Sequence, residues 1–181
     1  MIFYMHDESK PYIVSLDIEH DERHIIQLSA IMLKNIGPSI YQICRSLNVY
    51  IKTVPSVSRF VQSYTEITDK VLDTYGVTLA EAVELWDTFV GDIDKDDILL
   101  FSHGIYQDSE LMYDHGFDVN DYEMWDTFIM SKQIFEREDH LTLQELVTEA
   151  GFPPIRQHNA YGDAFSNLML YSYLLKLQGD E

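Results

Sequence analysis

One cysteine, five prolines and eight glycines are spread over 181 residues, and each scarcity removes a class of protein. Cys44 alone cannot form an internal disulfide, which excludes the bridge-stapled scaffolds of small secreted proteins. The few prolines and glycines gather into no linker, repeat or low-complexity tract, so one continuous domain over residues 1–181 is expected. Charges interrupt every apolar run well before the ~18–20 residues that span a membrane. The first eight residues carry no basic n-region, so no secretory signal is expected there and a cytoplasmic location is. Basic residues are scarce as well: 12 Lys and Arg stand against 31 Asp and Glu, for a net charge of −19. Such a surface repels phosphate backbones and offers no basic stripe for a duplex. It leaves room for a short substrate, or for one whose charge is masked by metal ions held among carboxylates. What is plentiful builds a core: 46% of residues are hydrophobic and 13% aromatic, which excludes disorder, collagen and coiled coil for the whole chain.

The patterning divides the chain into two textures. Tyr12 to Ile18, Ile25 to Leu33 and Tyr41 to Ile51 read as strands, joined by the short charged connection His20 to His24 and by a turn at Gly37-Pro38. These three form an antiparallel meander. Helical spacing then takes over at Leu79, Ala82, Val83, Trp86, Phe89 and Val90, introduced by a capping-box pair, Thr78 and Glu81. The acidic stretch Gly91 to Asp97 reads as a solvated connection to a buried strand at Ile98 to Phe101. A helix is expected from Asp108, another strand over Met124 to Met130, and a second capping box at Thr142 and Glu145 before a helix ended by Gly151. A last helix runs from about Ala160 to Leu177. A meander followed by α-β-α-β-α predicts an α/β three-layer domain with a mixed five-stranded sheet.

Chemistry concentrates at three places. Asp17 and Glu19 end the first strand two residues apart, so alternation puts both carboxylates on one face, within reach of one hard cation. Acid-x-acid pairs arise by chance in so acidic a chain, yet an apolar strand does not bury two such charges without a partner. His103 to Asp108 and His158 to Asp163 repeat one spacing, with the simplest alternative for Asp108 a helix N-cap. Within a helix, a five-residue offset would set His158 and Asp163 roughly 140° apart, so His158 must belong to the preceding loop to face the same site. His20 and His24 stand four apart, a spacing that suits zinc on a helix and loses that meaning on a hairpin. Cys44 reads as a small strand residue.

Taken in order, these places resemble the DEDDh 3′–5′ exonucleases, the family that includes polymerase proofreading subunits and oligoribonuclease. Ser15-Leu16-Asp17-Ile18-Glu19 is similar to the first motif, a strand ending in Asp-x-Glu. Leu100 to Asp108 resembles the second, with Gly104 where Asn is usual and Gln107 where an aromatic is. His158-Asn159-Ala160-Tyr161-Gly162-Asp163-Ala164 is a close fit to the third, His-x-Ala-x-x-Asp-Ala. Thr65-Glu66-Ile67-Thr68 echoes a Thr-Gly-Ile-Thr segment, with Glu66 in place of Gly, and Trp125-Asp126-Thr127 echoes an Asp-Thr strand. His20 and a short charged hairpin replace the Thr-Thr-Gly that commonly follows the first motif.

The resemblance implies a ribonuclease H-like domain and a magnesium- or manganese-dependent 3′–5′ exonuclease using two divalent ions. In that scheme Asp17, Glu19 and Asp163 hold the first metal, Asp17 bridges to the second and Asp108 supports it. His158 is then the general base. Ile18, His20, Ile67, Thr68, His103 and Tyr106 lie at or beside motif positions and are the expected contacts to a terminal nucleotide. The expected partner is the 3′ end of single-stranded RNA or DNA, with the acidity tilting towards short oligonucleotides or RNA ends, or towards recruitment by another protein. A recruiting protein and a homodimer are both compatible with the sequence; a membrane is not expected. The rival readings are an exonuclease-like binding module and a proofreading subunit with little activity alone.

Overall fold

Alternation along one strand explains how the sheet comes to be covered on both faces. In the computed structural model, which describes residues 1–5, 10–136, 142–153, 155 and 158–179, strand β2 is Tyr12–Asp21. Its Val14, Leu16 and Ile18 enter one hydrophobic core and Ile13 enters another, while Ser15, Asp17 and Glu19 share the face of Ile13. β2 pairs antiparallel with β3 (His24–Gly37), which pairs antiparallel with β4 (Ile40–Ile51), so the meander forms. On its other side β2 pairs parallel with β6 (Ile98–Ser102), and β6 pairs parallel with β7 (Glu123–Asp126). The sheet is therefore mixed.

Among the described residues it has seven strands rather than five. The extra two are short: β1 (Ile2–Tyr4) lies antiparallel on β4 at the edge, and the two-residue β5 (Gly76–Val77) runs parallel to β4. Neither is long enough to show a period in the sequence. Helices α1 (Arg59–Thr65) and α2 (Asp69–Tyr75) follow β4 and were likewise not anticipated as helices. Val61 of α1, Leu72 of α2 and Ile67 between the two helices close a small third core with Ile26 and Val57.

The two principal cores make the three layers. On one face, α3 (Leu79–Val90) and α4 (Ile105–Asp114) supply Trp86, Phe89, Leu111 and Met112 to the core of Val14 and Leu16. On the other, α5 (Thr127–Phe135), α6 (Leu143–Glu149) and α7 (Ala160–Gly179) pack Met130, Val147, Leu168 and Tyr171 against Ile13, Leu99 and Phe101. Both capping boxes form, with the Thr78 and Thr142 hydroxyls accepting from the backbone of Glu81 and Glu145.

Two element boundaries differ from the sequence reading for identifiable reasons. The strand expected over Met124 to Met130 stops at Asp126, because the Asp126 Oδ1 accepts from Phe128 N at 2.9 Å and starts α5 instead. The helix expected from Asp108 begins at Ile105. Its N-cap is Gly104, whose φ of 113° lies in a region open to glycine, so Asp108 sits inside the first turns and caps nothing. Among the described residues, no helix is long and apolar enough to cross a membrane.

Candidate active site

Two elements far apart in sequence bring three carboxylates together. Asp17 and Glu19 project from the C-terminal half of β2 on the α7 side of the sheet, Asp17 half-buried and Glu19 only 8% exposed. The β2–β3 register shifts between Glu19 and His20, a bulge that ends regular pairing just beyond the two acids. Asp163 comes from the first turn of α7. Oxygen atoms of Asp17, Glu19 and Asp163 all lie within 4.8 Å of one another.

The start of α7 is fastened to the sheet by polar bonds. Ala160 N donates to Gln27 Oε1 at 3.2 Å, and Gln27 lies opposite Glu19 in the β2–β3 ladder. Ser15 Oγ donates to the Ala164 carbonyl at 2.7 Å, and Asn167 Nδ2 donates to Ser15 Oγ at 3.1 Å. Thr127 Oγ1 donates in turn to Asn167 Oδ1 at 2.5 Å. Ser15, Thr127 and Asn167 are all buried, so each bond also satisfies a group that would otherwise be costly to desolvate.

Asp108 approaches from α4. Its Oδ2 accepts from Ser102 Oγ at 2.7 Å, which ties it to the end of β6 beside β2. Its charge reaches Asp17 and Glu19, although it stands outside the tight group of three. The four acids therefore act on one another. Burial, then the charges of Asp108, Asp163 and Glu19, pushes the Asp17 carboxyl well above the usual range. Burial, then Asp163 and Asp108, raises Glu19 to about 8. Asp108 is raised to about 7, chiefly by burial, against the lowering effect of its bond from Ser102. Asp163 rises least freely: burial lifts it, while His158 and the backbone N–H groups of His158 and Asn159 hold it down.

His158 lies in the loop before α7 with φ 52°, outside the helix, as its spacing from Asp163 requires. Its ring, Asp17 and Asp163 line one cavity of about 340 Å³, together with His103, Thr142, Leu143 and Gln144. Tyr64 of α1 stands edge-to-face on the His158 ring at 5.0 Å. His103 is oriented by Thr127 Oγ1, 3.2 Å from its Nδ1, and by the edge-on Phe128 ring.

The remaining expected contacts are not gathered here. Ile18 points to the opposite face of the sheet and is buried in the core with Trp86. Ile67 is buried in the small core under α1 and α2, and the Thr68 hydroxyl caps α2 by accepting from Val71 N. Tyr106 lines a separate depression with Ser109, Tyr113 and Met124. His20 Nδ1 lies 2.6 Å from the Glu22 carbonyl at the hairpin turn, and His24 packs on His115, so this pair does not meet at one point as a zinc site would need. The sequence reading in turn passed over Tyr64, Thr142, Leu143 and Gln144. The first is on an unanticipated helix, and the others were read only as a cap and its helix.

The donor set is entirely carboxylate oxygen, with no thiolate, which fits a hard divalent cation such as magnesium or manganese. Burial, and after it the mutual repulsion of the acids, raises the Asp17 and Glu19 carboxyls, and a cation held among them would relieve that repulsion.

Comparison with known proteins agrees with this arrangement. No curated protein is a significant match by sequence. The structure is similar to cell-death related nuclease 4 (CRN-4), with a TM-score of 0.71 at 15% identity over 94% of this chain and 64% of that one. It is similar to E. coli exonuclease I in complex with a 5cy-dT13 oligonucleotide, with a TM-score of 0.72 at 13% identity over 95% of this chain and 42% of that one. A 3′-exonuclease solved in 3′-end specific recognition of a histone mRNA stem-loop gives a TM-score of 0.68 at 14% identity, over 96% of this chain and 84% of that one. The chain thus spans under two thirds of the first two proteins, and at these identities the likeness shows the fold. The sequence family described as exonuclease, RNase_T, matches residues 13–171. The three motif strands and helices all fall inside that span, and the chain belongs to this family, the DEDDh-type 3′–5′ exonucleases.

Proposed function

We propose that this protein is a metal-dependent 3′–5′ exonuclease that hydrolyses the terminal phosphodiester of single-stranded RNA or DNA and releases nucleoside 5′-monophosphates. The observation that carries the reading is the convergence of Asp17, Glu19 and Asp163 within 4.8 Å, on the wall of a cavity shared with His158. Asp17, Glu19 and Asp163 would hold one divalent ion, and Asp17 with Asp108 a second. Bound there, such ions mask phosphate charge, acidify water and stabilise the departing oxygen. His158 takes the proton from the attacking water on an imidazole nitrogen, the task of a general base. The bond broken joins the terminal phosphorus to the 3′ oxygen of the penultimate nucleotide, which leaves as a hydroxyl. His103, which lines the same cavity beside Thr127, would contact the terminal nucleotide.

Charge bears on the substrate. Lys10, Arg23, Lys52 and Lys95 are each paired with an acid, and the Arg45 guanidinium is bonded to the Phe89 and Val90 carbonyls. With only 12 Lys and Arg on a chain of net charge −19, and these five engaged within the fold, a long polyanion is poorly matched, which favours short oligonucleotides and free ends. The test is incubation of the pure protein with 5′-labelled RNA and DNA oligomers of several lengths, with Mn²⁺ or with chelator. A metal-dependent ladder shortening from the 3′ end is expected, fastest on the shortest substrates. Absence of cleavage on every substrate would sink the reading and favour a binding module.

A further inference from the structure

We propose that Tyr64 is a positioning residue whose ring fixes the orientation of the His158 imidazole over the carboxylate cavity. This rests on the reading above, in which that imidazole takes the proton from water.

The need for such a residue follows from how His158 is held. Its backbone is pinned: Asp163 accepts from the N–H groups of His158 and Asn159, and Ala160 N is bonded to Gln27. Its side chain is exposed, on a loop at φ 52°, and a pinned backbone leaves the ring free to turn about its own two torsions. Among the described residues, Tyr64 is the aromatic ring packed on it, at 5.0 Å between centroids and 76° between planes. That is a favoured edge-to-face geometry, and it defines a direction as well as a contact.

Tyr64 is itself well anchored. The α1 helix starts at Ser58, whose N–H donates to Asp21 Oδ2 and whose hydroxyl caps the helix. Val61 and Thr65 are buried beneath it, and Tyr64 is half-buried against the small core of Ile26, Val57 and Ile67, while Phe60, one turn earlier, is exposed. Phe60, 77% exposed, packs edge-on against Tyr64 at 5.2 Å, so the Tyr64 ring is in contact with both Phe60 and His158. The Tyr64 phenol lies near enough to Glu19 and Asp21 to feel their charges, yet among the described residues it makes no hydrogen bond. The ring, then, and not the hydroxyl, acts on His158.

The test compares Tyr64→Ala with Tyr64→Phe. Misplacing a proton acceptor by about 1 Å costs up to roughly 100-fold, so Tyr64→Ala should lower kcat about 10- to 100-fold on an end-labelled oligonucleotide. KM, Mn²⁺ affinity by calorimetry and melting temperature should stay close to those of the unaltered protein. Tyr64→Phe should keep at least half of kcat. An unchanged kcat in Tyr64→Ala overturns the proposal, as does a rise in KM alone, which would make Tyr64 a substrate contact. Equal losses in both variants would also overturn it, by implicating the hydroxyl. The His158 Cε1–H resonance, identified by its loss in His158→Gln, gives a readout independent of turnover. Its ring-current shift should vanish in Tyr64→Ala and persist in Tyr64→Phe. An inactive protein that shows this pattern would fail the exonuclease reading while upholding the placement of the ring, and an unmoved resonance would overturn the placement itself.

Discussion

The Ser15 hydroxyl donates to the Ala164 carbonyl across 2.7 Å, joining positions 149 residues apart. Ser15 lies two residues before Asp17 and Ala164 one residue after Asp163, so this bond sets the distance between the two halves of the carboxylate group. Asn167 completes the link by donating to Ser15 and accepting from Thr127. Asn167→Ala leaves buried hydroxyls without their partners at a cost of about 2 kcal/mol, a fall of roughly 4–8 °C in Tm for a chain of this size. Thermal denaturation measures this, and calorimetry should show weaker Mn²⁺ binding in the same variant.

Neutralising one carboxylate should separate stability from activity. Asp17→Asn and Asp163→Asn each remove a proposed metal ligand and also relieve repulsion among buried acids. Metal-dependent cleavage should drop below detection in both, while Tm in chelator stays equal to or above that of the unaltered protein. Retained cleavage by purified Asp17→Asn protein would contradict the assigned ligand set.

The raised carboxyls predict a pH dependence of known sign. Glu19 titrates near 8 and Asp108 near 7 in the folded protein, both above their unfolded values. The native state therefore binds more protons than the unfolded state over pH 4–8, and metal-free stability falls as pH rises through that window. In chelator, Tm should drop by at least about 3 °C between pH 5.5 and pH 8, roughly 1 kcal/mol. Mn²⁺ held by these acids would displace those protons, so its stabilising effect should grow with pH. A flat profile in differential scanning fluorimetry would mean that burial and neighbouring charge do not raise these acids as the geometry requires.

His158→Ala should act on turnover rather than on metal. Its imidazole lines the cavity without belonging to the group of three carboxylates. Loss of a general base lowers kcat by about 100-fold or more, with the Mn²⁺ dissociation constant changed only a few-fold. Steady-state kinetics beside calorimetry tests the split.

Much of this architecture was legible along the chain because it is local. Two capping boxes, the i, i+2 acids of β2 and the apolar spacing of α3 each declare themselves within a few residues. Even Glu66, where the resembling segment has glycine, proves to occupy a left-handed position at φ 61°, which is why glycine suits it. Short elements were not legible: β1, β5, α1 and α2 carry too few residues for a period to emerge. The nominated contacts Ile18, Ile67 and Thr68 were chosen by adjacency to motifs. Alternation turned the first to the opposite core, packing buried the second and helix capping engaged the third.

By itself the sequence determined which residues carry charge, which strands and helices hold them, and that His158 must precede its helix, since these depend on neighbours within a turn or a strand. Only the tertiary structure decided that β2, α4 and α7 meet, that Asp108 stands apart from the tight trio, and that Tyr64 rests on His158. Those are contacts between positions tens to more than a hundred residues apart, set by sheet order and by buried hydrogen bonds, and no local pattern encodes them.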